Sequence, residues 1–402
     1  MEAFNQSTQQ RIQSIDVLRG IAMVLMALDH VRDYFHITAF TDDPLNLQTT
    51  TTALYFTRWI THFCAPVFVF LSGVSIYLQS FRKNSKELSS FVIKRGLWLI
   101  FAEWFIISLA WTFNPLYNLF PFQVIWTIGI SMVILGILIR FKVPYAIILG
   151  IGWSIVVLHN ALDFAEAKPG FAPNFWWDLF HSGHFKTYEI LPSRFLLLVY
   201  PFVAWTGLML LGYCAGRLFH PDFNAQKRNK ILLNTGLGLI LIFIVLRFLN
   251  VYGDPVAWKN QSTGWLTVLS FLHVDKYPPS LLYLCIMIGP ALMAMVALEK
   301  TNNAFSRIMI TFGRTAFFYY ILHLFLIHAL ATIAFYVRGH SFQEATESAQ
   351  KVPFMFVLPG EGLNLPGVYA VWIAVIAILY PICLWYDRYK TQHRQHWWLS
   401  YL

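Results

Sequence analysis

Apolar residues in this chain fill whole windows instead of alternating or forming narrow stripes. Runs of roughly 20 residues recur near 17–36, 58–80, 92–112, 119–139, 143–160, 195–216, 231–250, 279–298, 311–336 and 367–386. A helix of that length spans the ~30 Å hydrocarbon layer of a bilayer, so the pattern predicts an all-α, polytopic membrane bundle of about ten transmembrane helices. Polar punctuation is uneven. Some connections are as short as the RFK at 140–142, whereas 37–57, 161–194, 251–278 and 337–366 are long and mix Pro, Gly, Asn and Asp with Trp176, Trp177, Tyr188, Trp258 and Trp265.

Composition agrees. Of 402 residues, 57% are hydrophobic and only 12% charged, against about a quarter charged in soluble domains. The polar start, MEAFNQSTQQRIQSID, leads into a run that contains Arg19, Asp29 and His30 and lacks a small-residue cleavage site. It reads as a retained helix and not as a signal peptide. The expected organisation is a cytoplasmic segment 1–16, one membrane domain 17–386 and a cytoplasmic tail 387–402, with no composition break inside the bundle.

Charge sets the orientation. With the N-terminus in the cytoplasm, nineteen of the 29 basic residues fall on that side, crowded into short connections such as FNAQKRNK. The positive-inside rule therefore places both termini in the cytoplasm, and an even number of spans agrees. The net charge of +9 is divided among these loops and forms no stripe on a soluble domain, which argues against nucleic acid as a partner. Attraction to anionic inner-leaflet lipid, or to a negatively charged cytoplasmic ligand, accounts for it. Cys64, Cys214, Cys285 and Cys383 all lie in apolar runs without metal-type spacing and read as free buried thiols, so no metal site is expected.

Ionisable residues inside the runs carry the chemical information, because groups at that depth are costly and usually line a polar cavity. Arg19 and His30 are eleven residues apart, about three turns plus 20°, and so share one helix face with ~16 Å of rise between them. Arg19 then stands at the cytoplasmic mouth and His30 near mid-membrane. Asp33, three residues on, is within helical reach of the His30 imidazole and could hold its tautomer for general-base work. Against this, Arg32, Asp33 and His36 also suit a wetted helix end, and Asp29 with Arg32 a local ion pair.

Other candidates are weaker singly. Ser72 in FVFLSG could donate to a ligand, although intramembrane serine more often bonds its own helix, and Gly73 permits close approach. Glu103 needs a basic partner, for which Arg19 or Arg314 is at hand. Lys94, Arg95 and Arg314 stand where phosphates would enter from the cytoplasm. His323 lies ~14 Å beyond Arg314 along the ninth run, at a depth like that of His30. A lone His in a span is more often a packed one, and His328 fits that description; the pairing of two arginine-to-histidine helices strengthens His323. Gly207, Gly212 and Gly216 mark close helix contact, Pro201 and Pro381 mark kinks, and the outer aromatics read as an interfacial belt or as a platform for sugar rings.

IDVLRG with LMALDH, then FVFLSG, YPFVAWTGLMLLGYCAGRLF and GRTAFFYYILHLFLI, resemble the bacterial relatives of the heparan-α-glucosaminide N-acetyltransferase catalytic domain over about residues 11–330. The wider transmembrane acyltransferase superfamily shares the spacing of Arg, ten residues and His, matched by Arg19 and His30. The resemblance implies a multi-pass enzyme of the bacterial cytoplasmic (inner) membrane that takes an acyl group, usually acetyl, from cytoplasmic acyl-CoA and passes it to a hydroxyl or amine of an extracytoplasmic sugar or glycan. It implies His30 as the catalytic residue, Arg19 at the donor end, and Ser72, Arg314 and His323 as cavity lining; Asp29, next to His30 in the chain, is a further candidate for contact with the substrate. In the lysosomal branch asparagine replaces this histidine, with a histidine further along, which leaves covalent acyl-histidine and direct transfer both open for His30 and His36. Direct transfer is simpler, since a thioester is already activated. A proton-coupled transporter or flippase of an anionic solute is the rival reading, although no inverted repeat is evident. Oligomeric state is left open.

Overall fold

A computed structural model describes residues 12–350, 352–393 and 395–401. Most of the expected 1–16 segment lies outside these residues. The described chain is mostly helical, and a helix falls on each of the ten apolar runs: α1 (Gln13–Phe35), α2 (Thr52–Thr61) with α3 (Cys64–Gln79), α4 (Ser85–Ala102) continuing through a π turn at Glu103–Ile107 into α5 (Ser108–Thr112), α6 (Val124–Arg140) and α7 (Tyr145–Leu158). After the short α8 (Asp163–Glu166) and α9 (Phe175–Phe180) come α10 (Phe202–Ala215), α11 (Ala225–Leu249), α12 (Gly264–Leu272), α13 (Leu281–Ala297), α14 (Ala304–Arg314), α15 (Ala316–Val337), α16 (Phe342–Ser348) and α17 (Leu365–Gln392).

Among the described residues, six helices are long and apolar enough to cross a membrane: Thr52–Gln79, Tyr145–Glu166, Phe202–Phe219, Ala225–Leu249, Ala316–Val337 and Leu365–Gln392. The apolar helices Val124–Arg140 and Leu281–Ala297 are shorter. Helix α1 matches the six in length but carries Asp16, Arg19, Asp29, Arg32 and Asp33, so its placement depends on burial among neighbours instead of on lipid contact.

Two runs are not helical throughout. A three-stranded sheet, ordered β1 (Leu119–Phe122), β3 (Arg194–Leu198), β2 (Lys186–Leu191), occupies the starts of the runs at 119 and 195, so the chain is not all-α. Pro121 and Pro201 explain the boundary, because neither has an N–H to donate back into a helix. Pro201 instead caps α10 in an extended conformation. The ninth run also breaks, at Thr315, whose hydroxyl bonds back to Thr311 O at 2.9 Å. Arg314 therefore ends α14 and does not begin α15.

Close helix contacts bring the polar residues of separate helices together. A Cβ on Gly73 would lie 2.2 Å from Met209 O, and one on Gly212 2.2 Å from Phe70 O, so α3 and α10 touch backbone to backbone as the small-residue pattern predicts. Likewise a Cβ on Gly20 would sit 1.9 Å from Met309 O, and one on Gly313 1.9 Å from Asp16 O. That contact presses α14 against α1 and brings Arg19 and Arg314 to one end of the bundle.

Candidate active site

At that end, α1, α3, α4, α6, α14 and α15 enclose a cavity of about 860 Å³. Its lining includes Arg19, Arg82, Lys83, Arg95, Arg314 and Lys390, and no carboxylate is among the described residues that line it. Deeper walls are apolar, formed by Met23, Phe68, Ile125, Ile128 and Met132, with Ser72, Ser75 and Tyr320 as polar exceptions. His396, Trp397, Leu399 and Tyr401 from the C-terminal tail complete the mouth, a contribution that the sequence pattern does not announce.

Arg19 is built in from three sides: it donates to Asp16 Oδ1 (3.1 Å), to Ser75 Oγ (2.9 Å) and to Gly313 O (3.3 Å). Arg314 pairs with Asp387 at 3.1 Å and reaches Thr391 Oγ1 at 3.2 Å, both on α17. Of the neighbouring pair on α4, Arg95 lines the cavity, while Lys94 is exposed and is not among the lining residues. Consecutive helical residues differ by ~100° and only one of them can face inward.

His30 and His323 do not line this cavity but meet beside Tyr320, which does. His30 Nδ1 is 2.7 Å from His323 Nε2, with the rings stacked at 4.9 Å between centroids. His323 Nδ1 lies 3.1 Å from Tyr319 O, and a carbonyl can only accept. In the neutral pair His323 therefore carries its proton on Nδ1 and accepts at Nε2, so His30 donates from Nδ1 and presents a bare Nε2. Trp111 packs edge-to-face on the His30 ring at 4.7 Å, and Tyr320 follows at 6.3 Å. The Trp111 indole N–H is buried with no acceptor in hydrogen-bonding geometry among the described residues.

Asp33 does not hold the His30 ring as expected. Its carboxylate accepts from Arg32 Nη2 at 2.6 Å, and the imidazole is bonded to His323 instead. Asp29 accepts two bonds from Arg58 Nη1, at 2.6 and 2.5 Å, and one from Arg32 at 3.1 Å. Arg58, on α2, is not singled out by the sequence pattern, though a charge inside TRWITHF is the kind of feature that marks a buried pair. Glu103 also differs from expectation. Its carboxylate takes the Trp126 N–H at 2.9 Å, capping α6, whose own Gln123 makes no side-chain cap, so the positive end of a helix dipole replaces an arginine.

His36 and His328 are held by local contacts away from the His30–His323 bond. His36 bonds Thr38 at 2.9 Å in the turn after α1, and His328 bonds Ala110 O and Met355 O while stacking on Phe113. The four cysteines are free and buried.

The molecule is thus a helical membrane protein with a cation-lined cavity and, next to the Tyr320 that lines it, a bonded pair of histidines. The chain belongs to the family of the heparan-α-glucosaminide N-acetyltransferase catalytic domain, whose pattern matches residues 11–253. Membership points to a transmembrane acetyltransferase. The matched region contains Arg19, Asp29, His30, Asp33, Ser72, Lys94 and Arg95, whereas Arg314 and His323 lie beyond it. No curated protein matches the chain.

Proposed function

We propose that the protein is an integral-membrane acyltransferase of the bacterial cytoplasmic membrane, moving an acyl group, acetyl by family habit, from cytoplasmic acyl-CoA to a hydroxyl or amine of an extracytoplasmic sugar or glycan. The observation that supports this best is the cavity of six basic side chains at the Arg19 end, whose apolar walls extend to Tyr320, a ring 6.3 Å from that of His30. Guanidinium and ammonium groups there suit the donor's phosphates. An extended thioester arm would run along the apolar wall.

Beside Tyr320, His30 Nε2 is the base. It takes the proton of the acceptor O–H or N–H as that oxygen or nitrogen bonds to the thioester carbon. The buried Trp111 N–H, which has the Tyr320 hydroxyl near it, would donate to the resulting tetrahedral oxyanion. When the C–S bond breaks, the proton on His30 passes to the departing thiolate, and acyl acceptor and free CoA remain. Through the Nδ1 bond, His323 fixes the ring and spreads the charge of the transient imidazolium; it is a positioning residue. Asp33 and Asp29 support the site through Arg32 and Arg58.

Equilibrium binding of acetyl-CoA to the purified protein in detergent tests the reading. Wild type is expected to bind, and Arg19→Ala to bind about 10- to 100-fold more weakly, as for loss of a charge-assisted contact. Absence of acyl-CoA binding, together with gradient-driven uptake of an anionic solute into vesicles, would establish the transporter instead.

A further inference from the structure

Lys276 lies outside the family match, in the connection between α12 and α13, and is only 6% exposed. The connection is held firmly. Arg247, itself 2% exposed, donates to Val256 O, Phe271 O and Ser270 O and pairs with Asp254 at 3.3 Å. Asp254 Oδ2 in turn accepts from Asp275 N at 2.9 Å and Ser280 Oγ at 2.7 Å, and Asp275 Oδ1 accepts from Tyr277 N at 2.9 Å. These bonds leave the Lys276 side chain directed into the bundle, its ammonium over the rings of Tyr277 (5.0 Å) and Tyr200 (5.9 Å). Its charge bears on Asp29, His30 and His62.

The charges around it do not balance. Asp29 and Asp33 are taken by Arg58 and Arg32. Lys276 is a third cation: Asp254 is taken by Arg247, the carboxyl of the adjacent Asp275 is pushed up to about 7 by burial, and no carboxylate stands within 4 Å of the ammonium among the described residues. The Tyr277 hydroxyl also interacts with the ammonium: burial raises that hydroxyl's pKa, and Lys276 with Arg58 brings it below the usual value. A buried ammonium still needs a full counter-charge beyond what ring faces and a phenol supply. The site keeps some access, since the Asp33 side chain is 27% exposed and that of Arg58 15%.

We propose that Lys276 binds an anionic group of the acceptor, a carboxylate, phosphate or sulfate ester, and so holds the acceptor's hydroxyl or amine toward His30. That the anion belongs to an acceptor rests on the acyltransferase reading; the anion site does not. Specificity then follows from charge: a neutral sugar leaves the ammonium without a counter-ion, and an anionic one supplies it.

The test is binding of glucosamine and glucosamine 6-phosphate to the full-length protein in phosphatidylcholine nanodiscs. Wild type is expected to prefer the phosphate about 10- to 100-fold, with the preference shrinking as salt rises. Lys276→Met is expected to bring the ratio near one while acetyl-CoA binding is kept, and Lys276→Arg to preserve most of it. Equal binding of the two sugars to wild type would overturn the proposal, as would a preference untouched in a folded Lys276→Met protein. Loss of sugar discrimination in phosphatidylglycerol nanodiscs alone would support the anion site by competition from lipid phosphate; indifference to the sugar's phosphate in both lipids would overturn it. If the preference and its loss hold while no acetyl is ever transferred, the anion site stands and the acyltransferase reading falls.

Discussion

His30 Nδ1 and His323 Nε2 are 2.7 Å apart, although 293 residues separate them in the chain. Because His323 Nδ1 faces the Tyr319 carbonyl, the bond has one direction in the neutral pair and leaves His30 Nε2 as the free base. The arrangement selects the tautomer of the His30 ring, as a carboxylate does for catalytic histidines.

His323→Ala is therefore expected to lower kcat by about 10²-fold, within the range of general-base contributions, with acetyl-CoA affinity changed less than about twofold. Steady-state kinetics alongside binding isotherms check this. A loss confined to KM would mean that His323 serves substrate binding and not the base.

Trp111→Phe keeps the ring against His30 but removes the buried N–H. If that N–H meets the oxyanion, kcat falls by about 10²-fold or more, the usual effect of deleting one such donor, with KM almost constant. Unchanged kcat would assign Trp111 to packing alone.

Gly20→Ala places a methyl where Met309 O already lies, 1.9 Å from the ideal Cβ. Helix α14 must move away from α1, carrying Gly313 off Arg19 and shifting Arg314. The expected result is a destabilisation of about 1–3 kcal/mol or more, as for overpacking, together with weaker acetyl-CoA binding. Thermal unfolding in detergent and donor titration measure the two effects.

Asp275 supplies a pH dependence on the far side of the bundle. Burial pushes its carboxyl up to about 7, with Asp254 and Asp163 adding to the rise and the Tyr277 N–H opposing it. The folded state thus holds its proton more tightly than the unfolded chain, and stability falls as pH rises from about 4 to about 7, then levels off. Hydrogen exchange in residues 273–280 is expected to quicken over that window once corrected for the intrinsic pH effect. Asp275→Asn is expected to flatten the trend.

How far the sequence discloses such a site depends on the direction considered. Distance along a helix is legible: spacing alone puts Arg19 and His30 at different depths, and Ser72, Arg95 and Arg314 do line the cavity near Arg19. Rotation between helices is not. Which of Lys94 and Arg95 faces inward, and whether His30 bonds Asp33 on its own helix or His323 on another, depends on packing between segments far apart in sequence. The same limit hides Arg58 and Lys276, whose roles arise from Asp29 on a different helix and from a loop pinned by Arg247. Strands at 119–122 and 194–198 escape because hydropathy does not distinguish an apolar strand from the first turns of a helix, although Pro121 and Pro201 mark both boundaries.

In the proposed reaction His30 acts as the base on a donor held by the cavity at Arg19. Single-turnover transfer of labelled acetyl from acetyl-CoA by wild type and His30→Ala, with donor affinity measured on the same preparations, separates chemistry from binding. His30→Ala is expected to bind acetyl-CoA within about twofold of wild type and to lose about 10²- to 10⁴-fold in transfer rate. Transfer at the wild-type rate, or a loss fully explained by failure to bind the donor, would contradict that role for His30.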